Sequence, residues 1–180
     1  MKQVLIINAS PRIGGNSETL SNAFKKGILR ERCKINTISV GKIPIKGCIA
    51  CNKCYELNKA CCFDDNFSII ANLIEDSDVI VFSTPMYWYN FPTQMKSIID
   101  KFYAFIIGKR DVSNKKSILL VCGELKDEKQ YSPILDTYHQ IIQELNWINL
   151  GEIIATDVFE IGDICGNKAL ELSEKLASKI

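Results

Sequence analysis

The stretch Asn8–Thr19, NASPRIGGNSET, gathers the donors an anion needs: hydroxyls from Ser10, Ser17 and Thr19, an amide from Asn16 and a guanidinium from Arg12. Gly14 and Gly15 make it pliable, and it lies between four large apolar residues, Val4–Ile7, and a helical pattern. A helix opening there points its unbonded N–H groups into the turn, which suits a phosphate monoester. The Gly-Lys-Ser/Thr of a Walker loop is absent, and one adjacent glycine pair stands where a dinucleotide fingerprint needs Gly-x-Gly-x-x-Gly. The alternative reading is a plain strand-to-helix turn with Ser17 as N-cap.

A second stretch, Pro85-Met86-Tyr87-Trp88-Tyr89-Asn90, packs three aromatics into a turn and suits a flat apolar ring, or else supplies core or dimer contacts. Cys122-Gly123-Glu124 follows another apolar run and either borders the same ring through Gly123 or is an ordinary turn. The third signal is sulfur: five of the eight cysteines fall between Cys48 and Cys62. Cys48-x2-Cys51-x2-Cys54 brings three thiolates round one centre, with Cys61 or Cys62 as a fourth, a set that suits a [4Fe–4S] cluster or zinc. A reduced, metal-free loop is the alternative. Cys33, Cys122 and Cys165 have the character of small apolar residues.

Other chemistries are poorly served. The single histidine, His139, sits among polar residues on a helical pattern, so Ser-His-Asp catalysis and histidine metal sites are not expected. With 22 basic and 21 acidic residues spread along the chain, there is no electrostatic footprint for nucleic acid or anionic membrane. The longest uncharged run, Val79–Met95, carries two prolines and is short for a bilayer, and the N-terminal apolar run is too short for a signal peptide. A soluble, cytoplasmic protein is expected, and in that reducing compartment no disulfide framework is expected.

These residues need elements to position them. Val4–Ile7 and Asp78–Ser83 are continuously apolar, as strands buried on both faces are, and Ser117–Cys122 repeats the pattern. Lys34–Val40 alternates like a strand nearer an edge, and Ile153–Phe159 is the fifth strand. Helical faces recur over about Ser17–Glu31, over Phe67–Ile74 opened by Asp64, Asp65 and Asn66, from Pro92 through Ile106, after Ser132-Pro133, and at Ala169, Leu172 and Leu176. Between Gly41 and Asp64 no period holds, and a loop so long within a compact domain is usually functional. Strands alternating with helices predict one doubly wound α/β domain over residues 1–180, with a five-stranded parallel sheet of flavodoxin-like order 2-1-3-4-5. In that order ligands bind where winding reverses, between the loops after strands 1 and 3. Those are the Ala9–Ser17 and Thr84–Asn90 loops.

Ser-Pro-Arg-x-x-Gly-Asn-Ser and the segment Ser83–Phe102 resemble the flavodoxin-like family of NAD(P)H-dependent FMN reductases, across most of residues 1–105. The resemblance implies FMN, its phosphate held by Ser10, Arg12, Asn16, Ser17 and Thr19, and its ribityl chain and isoalloxazine lined by Pro85, Met86, Tyr87 and Trp88. It implies hydride from NAD(P)H, a small acceptor such as a quinone, nitro compound or flavin, and a homodimer. The cysteine loop is similar to that of iron–sulfur flavoproteins of the same fold, which implies a cluster on Cys48, Cys51, Cys54 and Cys61 or Cys62, and exchange with a ferredoxin-like donor. Here the gap from Cys54 to Cys61 is slightly wider than in that compact motif. A non-enzymatic zinc-thiolate or phosphate-binding module is the third reading.

Overall fold

In the computed structural model, which describes residues 1–29, 33–56 and 58–180, the five strands form one parallel sheet in the order β2-β1-β3-β4-β5. They are β1 (Gln3–Asn8), β2 (Lys34–Ser39), β3 (Val79–Pro85), β4 (Lys116–Cys122) and β5 (Ile148–Ala155). The helices are α1 (Asn16–Leu29), α2 (Phe67–Asp76), α3 (Thr93–Ile99), α4 (Tyr103–Ile107), α5 (Ser132–Glu144) and α6 (Lys168–Ala177).

The continuous apolar runs are explained by cover on both faces of the sheet. Successive side chains of a strand point to opposite faces, so β1 sends Leu5 and Ile7 into one core with Phe67, Ile70, Phe82 and Tyr138. It sends Val4 and Ile6 into the other, with Leu20, Phe24 and Leu176. On that second side α1 packs against α6 so closely that a Cβ on Gly27 would run into the Glu174 carbonyl and lie 2.6 Å from the Ala177 Cβ. Gly27→Ala is therefore expected to destabilise the fold by about 1–3 kcal/mol, despite alanine's better helix propensity, as measured by urea denaturation.

Two elements differ from the sequence reading. The fifth strand spans Ile148–Ala155, not Ile153–Phe159. Asn149, Gly151 and Glu152 mask its first half, which pairs with β4 through a bulge, and Asp157 at φ +56° turns the chain away from the sheet. Val158 and Phe159 consequently belong to the loop beyond it. The helix expected from Pro92 through Ile106 is broken by a 3-10 turn at Asp100–Phe102, where Lys101 turns inward to Asp65. The first helix follows the expected course from Asn16, and the last part of the expected span, at residues 30–31, lies outside the described residues.

Candidate functional site

All five strands run the same way, so β1, β3 and β4 deliver their following loops to one edge of the sheet. There they enclose a cleft of about 390 Å³ lined by Ser10, Arg12, Asn16 and Ser17, by Pro85–Tyr89, and by Cys122, Gly123, Val158 and Phe159 among others. The sequence placed most of these residues together; Val158 and Phe159 were hidden because they were assigned to a strand.

The first loop is shaped by its own polar groups. Asn8 Oδ1 accepts from the Ser10 N–H at 3.0 Å, and Ser10 Oγ accepts from the Arg12 N–H at 3.2 Å. Gly14 stands at φ +66°, in the left-handed region where glycine carries no steric cost. A Cβ on Gly15 would lie 3.1 Å from both the Ser10 Oγ and the Arg12 Cβ, so any larger residue there must push these side chains aside by a few tenths of an ångström. At the start of α1, Ser17 is buried, and its hydroxyl lies 3.1 Å from the Cys122 thiol. Burial pushes that thiol up to about 11, so it is neutral at pH 7 and able to donate to Ser17.

Asn16 and Thr19 behave differently from Ser10 and Ser17. The Asn16 amide lines the cleft but is engaged at both ends, donating to the Glu160 carbonyl and accepting from the Gly162 and Ile164 N–H groups. Thr19 turns its hydroxyl back to the Gly15 carbonyl at 3.2 Å and is not among the lining residues.

The second loop is a tight turn, with Tyr87 and Asn90 exchanging both backbone hydrogen bonds. Trp88 and Tyr89 at its tip stand at φ +46° and +65°, which costs about 1–2 kcal/mol for each side-chain-bearing residue. Strain of that kind is tolerated where a surface is needed in one shape. The tip leaves Trp88 94% exposed beside the cleft.

The five clustered cysteines line a second, smaller pocket with Phe63, Phe67 and Lys101. Backbone geometry shapes this loop too, with Ala50, Asn52 and Tyr55 all in the left-handed region. The Ala50 N–H points at the Cys48 sulfur at 3.4 Å. The Lys53 backbone N–H, helped by Cys62, holds the Cys51 thiol below its usual value. Turns that aim N–H groups inward in this way form concavities for anions and for thiolate-bound clusters. The Cys51 and Cys62 sulfurs are 3.4 Å apart, and burial followed by the neighbouring Cys61, Cys48 and Cys51 raises the Cys54 thiol. Among the described residues, no three His, Cys, Asp or Glu side chains stand in the arrangement of a closed metal site. The donor set nevertheless fits a soft metal centre: thiols on one loop, with N–H groups turned to the sulfurs.

His139 is half-exposed on α5, 2.8 Å from Glu152, and is not among the residues lining either pocket. Cys165 is exposed and Cys33 half-buried, so of the three cysteines read as apolar filling only Cys122 is buried.

The archaeal "Iron-sulfur flavoprotein" of Archaeoglobus fulgidus is 26% identical over 98% of this chain and 79% of its own length. That of Methanosarcina thermophila is 25% identical over 92% of this chain and 83% of its own. The fold is shared with the FMN-dependent NADH-azoreductase of Bacillus anthracis, solved in complex with FMN, at a TM-score of 0.75, 13% identity and 99% coverage of both chains. The model of one family, described as NADPH-dependent FMN reductase, matches residues 2–158, which include every lining residue named above from the first two loops and the cysteine loop. With its sheet order and cleft, this chain therefore belongs to the NADPH-dependent FMN reductase family.

Proposed function

We propose that the protein holds FMN across the cleft, takes hydride from NADH or NADPH, and passes electrons to a small acceptor such as a quinone, nitro compound or free flavin. The observation that carries this reading is the convergence of Ser10, Arg12 and Ser17 with Pro85–Trp88 and Gly123 in one cleft. The first group meets a phosphate with hydroxyls, a guanidinium and the opening of α1, and the second offers apolar walls to a flat ring. When bound, FMN supplies the hydride chemistry, and the chain contributes binding, orientation and exclusion of water. The protein as purified should release FMN and not FAD, identified by mass spectrometry, and its flavin should bleach anaerobically with NADH or NADPH. Release of FAD alone overturns the reading.

Ser17→Ala is expected to weaken FMN binding by about 1–3 kcal/mol while leaving riboflavin binding near that of the parent, because the lost hydroxyl serves the phosphate. Titration with the two flavins checks this.

A second redox centre is supported by the cysteine pocket and its sulfur-directed N–H groups. The reading is a [4Fe–4S] cluster on Cys48, Cys51, Cys54 and Cys61, with Cys62 as the alternative fourth ligand, accepting single electrons from a ferredoxin-like donor. Iron, zinc and acid-labile sulfide measured after anaerobic purification separate a cluster from zinc and from free thiols. A cytoplasmic location goes with this reading, because a reducing compartment keeps loop cysteines available as metal ligands. Among the described residues no helix is long and apolar enough to cross a membrane.

The exposed aromatics of the second loop support a homodimer, in which a second copy covers Trp88 and its half-exposed neighbours Tyr87 and Tyr89. A monomer by light scattering at micromolar concentration overturns that assignment.

A further inference from the structure

The segment after β5 is tied to the first loop by side chains that sequence reading had assigned to phosphate. Asn16 Nδ2 donates to the Glu160 carbonyl at 2.9 Å, while its Oδ1 accepts from the Gly162 N–H at 3.2 Å. Asp163 closes the segment on itself, accepting from the Phe159 and Glu160 N–H groups at 2.9 and 2.7 Å. Arg12 adds the charged link: its Nη1 donates to the Phe159 carbonyl at 2.7 Å, and its guanidinium lies 5.8 Å from the centre of the Phe159 ring. Phe159 itself is 55% exposed and lines the cleft with Tyr87 and Trp88.

We propose that Arg12 is a bridge, holding the FMN phosphate with one part of its guanidinium and Phe159 with another, so that the phosphate fixes the aromatic rim where the electron acceptor lands. The inference rests on the flavin reading above and goes beyond it by assigning Phe159 as a specificity-determining residue and Asn16 as a tether.

The donor count permits the bridge. A guanidinium carries five N–H donors in a rigid fork, and the Phe159 carbonyl takes one of them. Arg12 is exposed, so its hydrogen bond and ring contact are weakened by competing water. A phosphate dianion on the remaining donors would remove that freedom, because charge-assisted, bidentate contacts fix both the plane and the position of the fork. The carbonyl and ring of Phe159 then meet a fixed partner. Riboflavin fills the ring site without a phosphate, so it should leave the Phe159 segment as mobile as in the flavin-free protein.

Hydrogen exchange on the full chain loaded with FMN or with riboflavin tests the coupling. Amides of residues 159–164 are expected to exchange about five- to tenfold more slowly in the FMN form, and Arg12→Gln should abolish that difference while FMN still binds at raised concentration. Equal exchange with both flavins seen bound by absorbance overturns the bridge, as does a difference that survives Arg12→Gln. If FMN binds no more tightly than riboflavin, the phosphate cradle itself fails and the proposal falls with it. In the FMN-loaded protein, Phe159→Ala should lower kcat/KM for a two-ring quinone about tenfold and leave ferricyanide, which needs no stacking partner, within about twofold. Equal losses for both acceptors overturn the role given to Phe159.

Discussion

Converting Cys51 to Ser is expected to reduce the iron of anaerobically purified protein from about four atoms per chain to fewer than one, while FMN stays bound. Cys51 is central in the Cys48-x2-Cys51-x2-Cys54 run, and its sulfur is the one that the Lys53 N–H and Cys62 both approach. A hydroxyl there is a poor ligand for iron, and thiolate-held metal in small sites is worth roughly 10 kcal/mol or more of apparent binding free energy. FMN should survive because its loops follow β1, β3 and β4, whereas the cysteines lie between β2 and α2. Reduction by NAD(P)H is expected to persist, and electron uptake from a ferredoxin-like donor to be lost. Iron that remains at the parent's level overturns the ligand assignment. A parent purified anaerobically without iron overturns the cluster.

Lys101→Met is expected to cost about 3–5 kcal/mol of stability at neutral pH, the second large effect. The Lys101 Nζ lies 2.6 Å from Asp65 Oδ2, and the two side chains are only 2% and 5% exposed. Removing the ammonium strands a buried carboxylate. Asp65 also joins the two ends of the cysteine loop, accepting from the Lys46 and Phe67 N–H groups at 3.0 Å each, so the loss should loosen that loop. The double variant Lys101→Met with Asp65→Asn should recover most of the stability, since no buried charge is then left unpaired. Urea denaturation of the parent, both single variants and the double variant measures the coupling, and additive losses would show that the pair is not linked.

The same pair sets an acid limit. Burial works to raise the Asp65 carboxyl, but hydrogen bonds from Lys101, Phe67 and Lys46 outweigh it and hold the group below its ordinary 3.8. A carboxyl depressed in the folded state contributes its full stability above the unfolded value and loses it as pH falls through the folded one. Asp65 should therefore be silent from neutral pH down to about its ordinary value, and the parent should lose stability below it. The Asp65→Asn variant should show a shallower acid decline than the parent.

How far the sequence reached depended on the kind of signal. Val4–Ile7 and Val79–Phe82 announced buried parallel strands because side chains covered on both faces must all be apolar, a local property of the chain. The alternation of strands and helices then called for a doubly wound parallel sheet, to which the flavodoxin-like order 2-1-3-4-5 was fitted by resemblance, and that order brings Ser10–Ser17 and Pro85–Trp88 to one edge. The fifth strand was misplaced because an edge strand with Asn149, Gly151 and Glu152 need not be apolar, and its limits are set by pairing with β4. Lys101 carried no signal either: a lysine in a helical pattern reads as solvated, and only the return of the cysteine loop brings Asp65 to it. Asn16 likewise reads as a phosphate donor until the segment after β5 folds back and takes both ends of its amide. Residue type and short spacing determined the sheet, the two loops and the sulfur cluster, because each depends on neighbours a few positions away. The partners of Lys101, Asn16, Arg12 and Phe159 were decided by tertiary structure alone, because each bond joins groups 36 to 147 positions apart, whose meeting depends on how the loops are laid over the sheet edge.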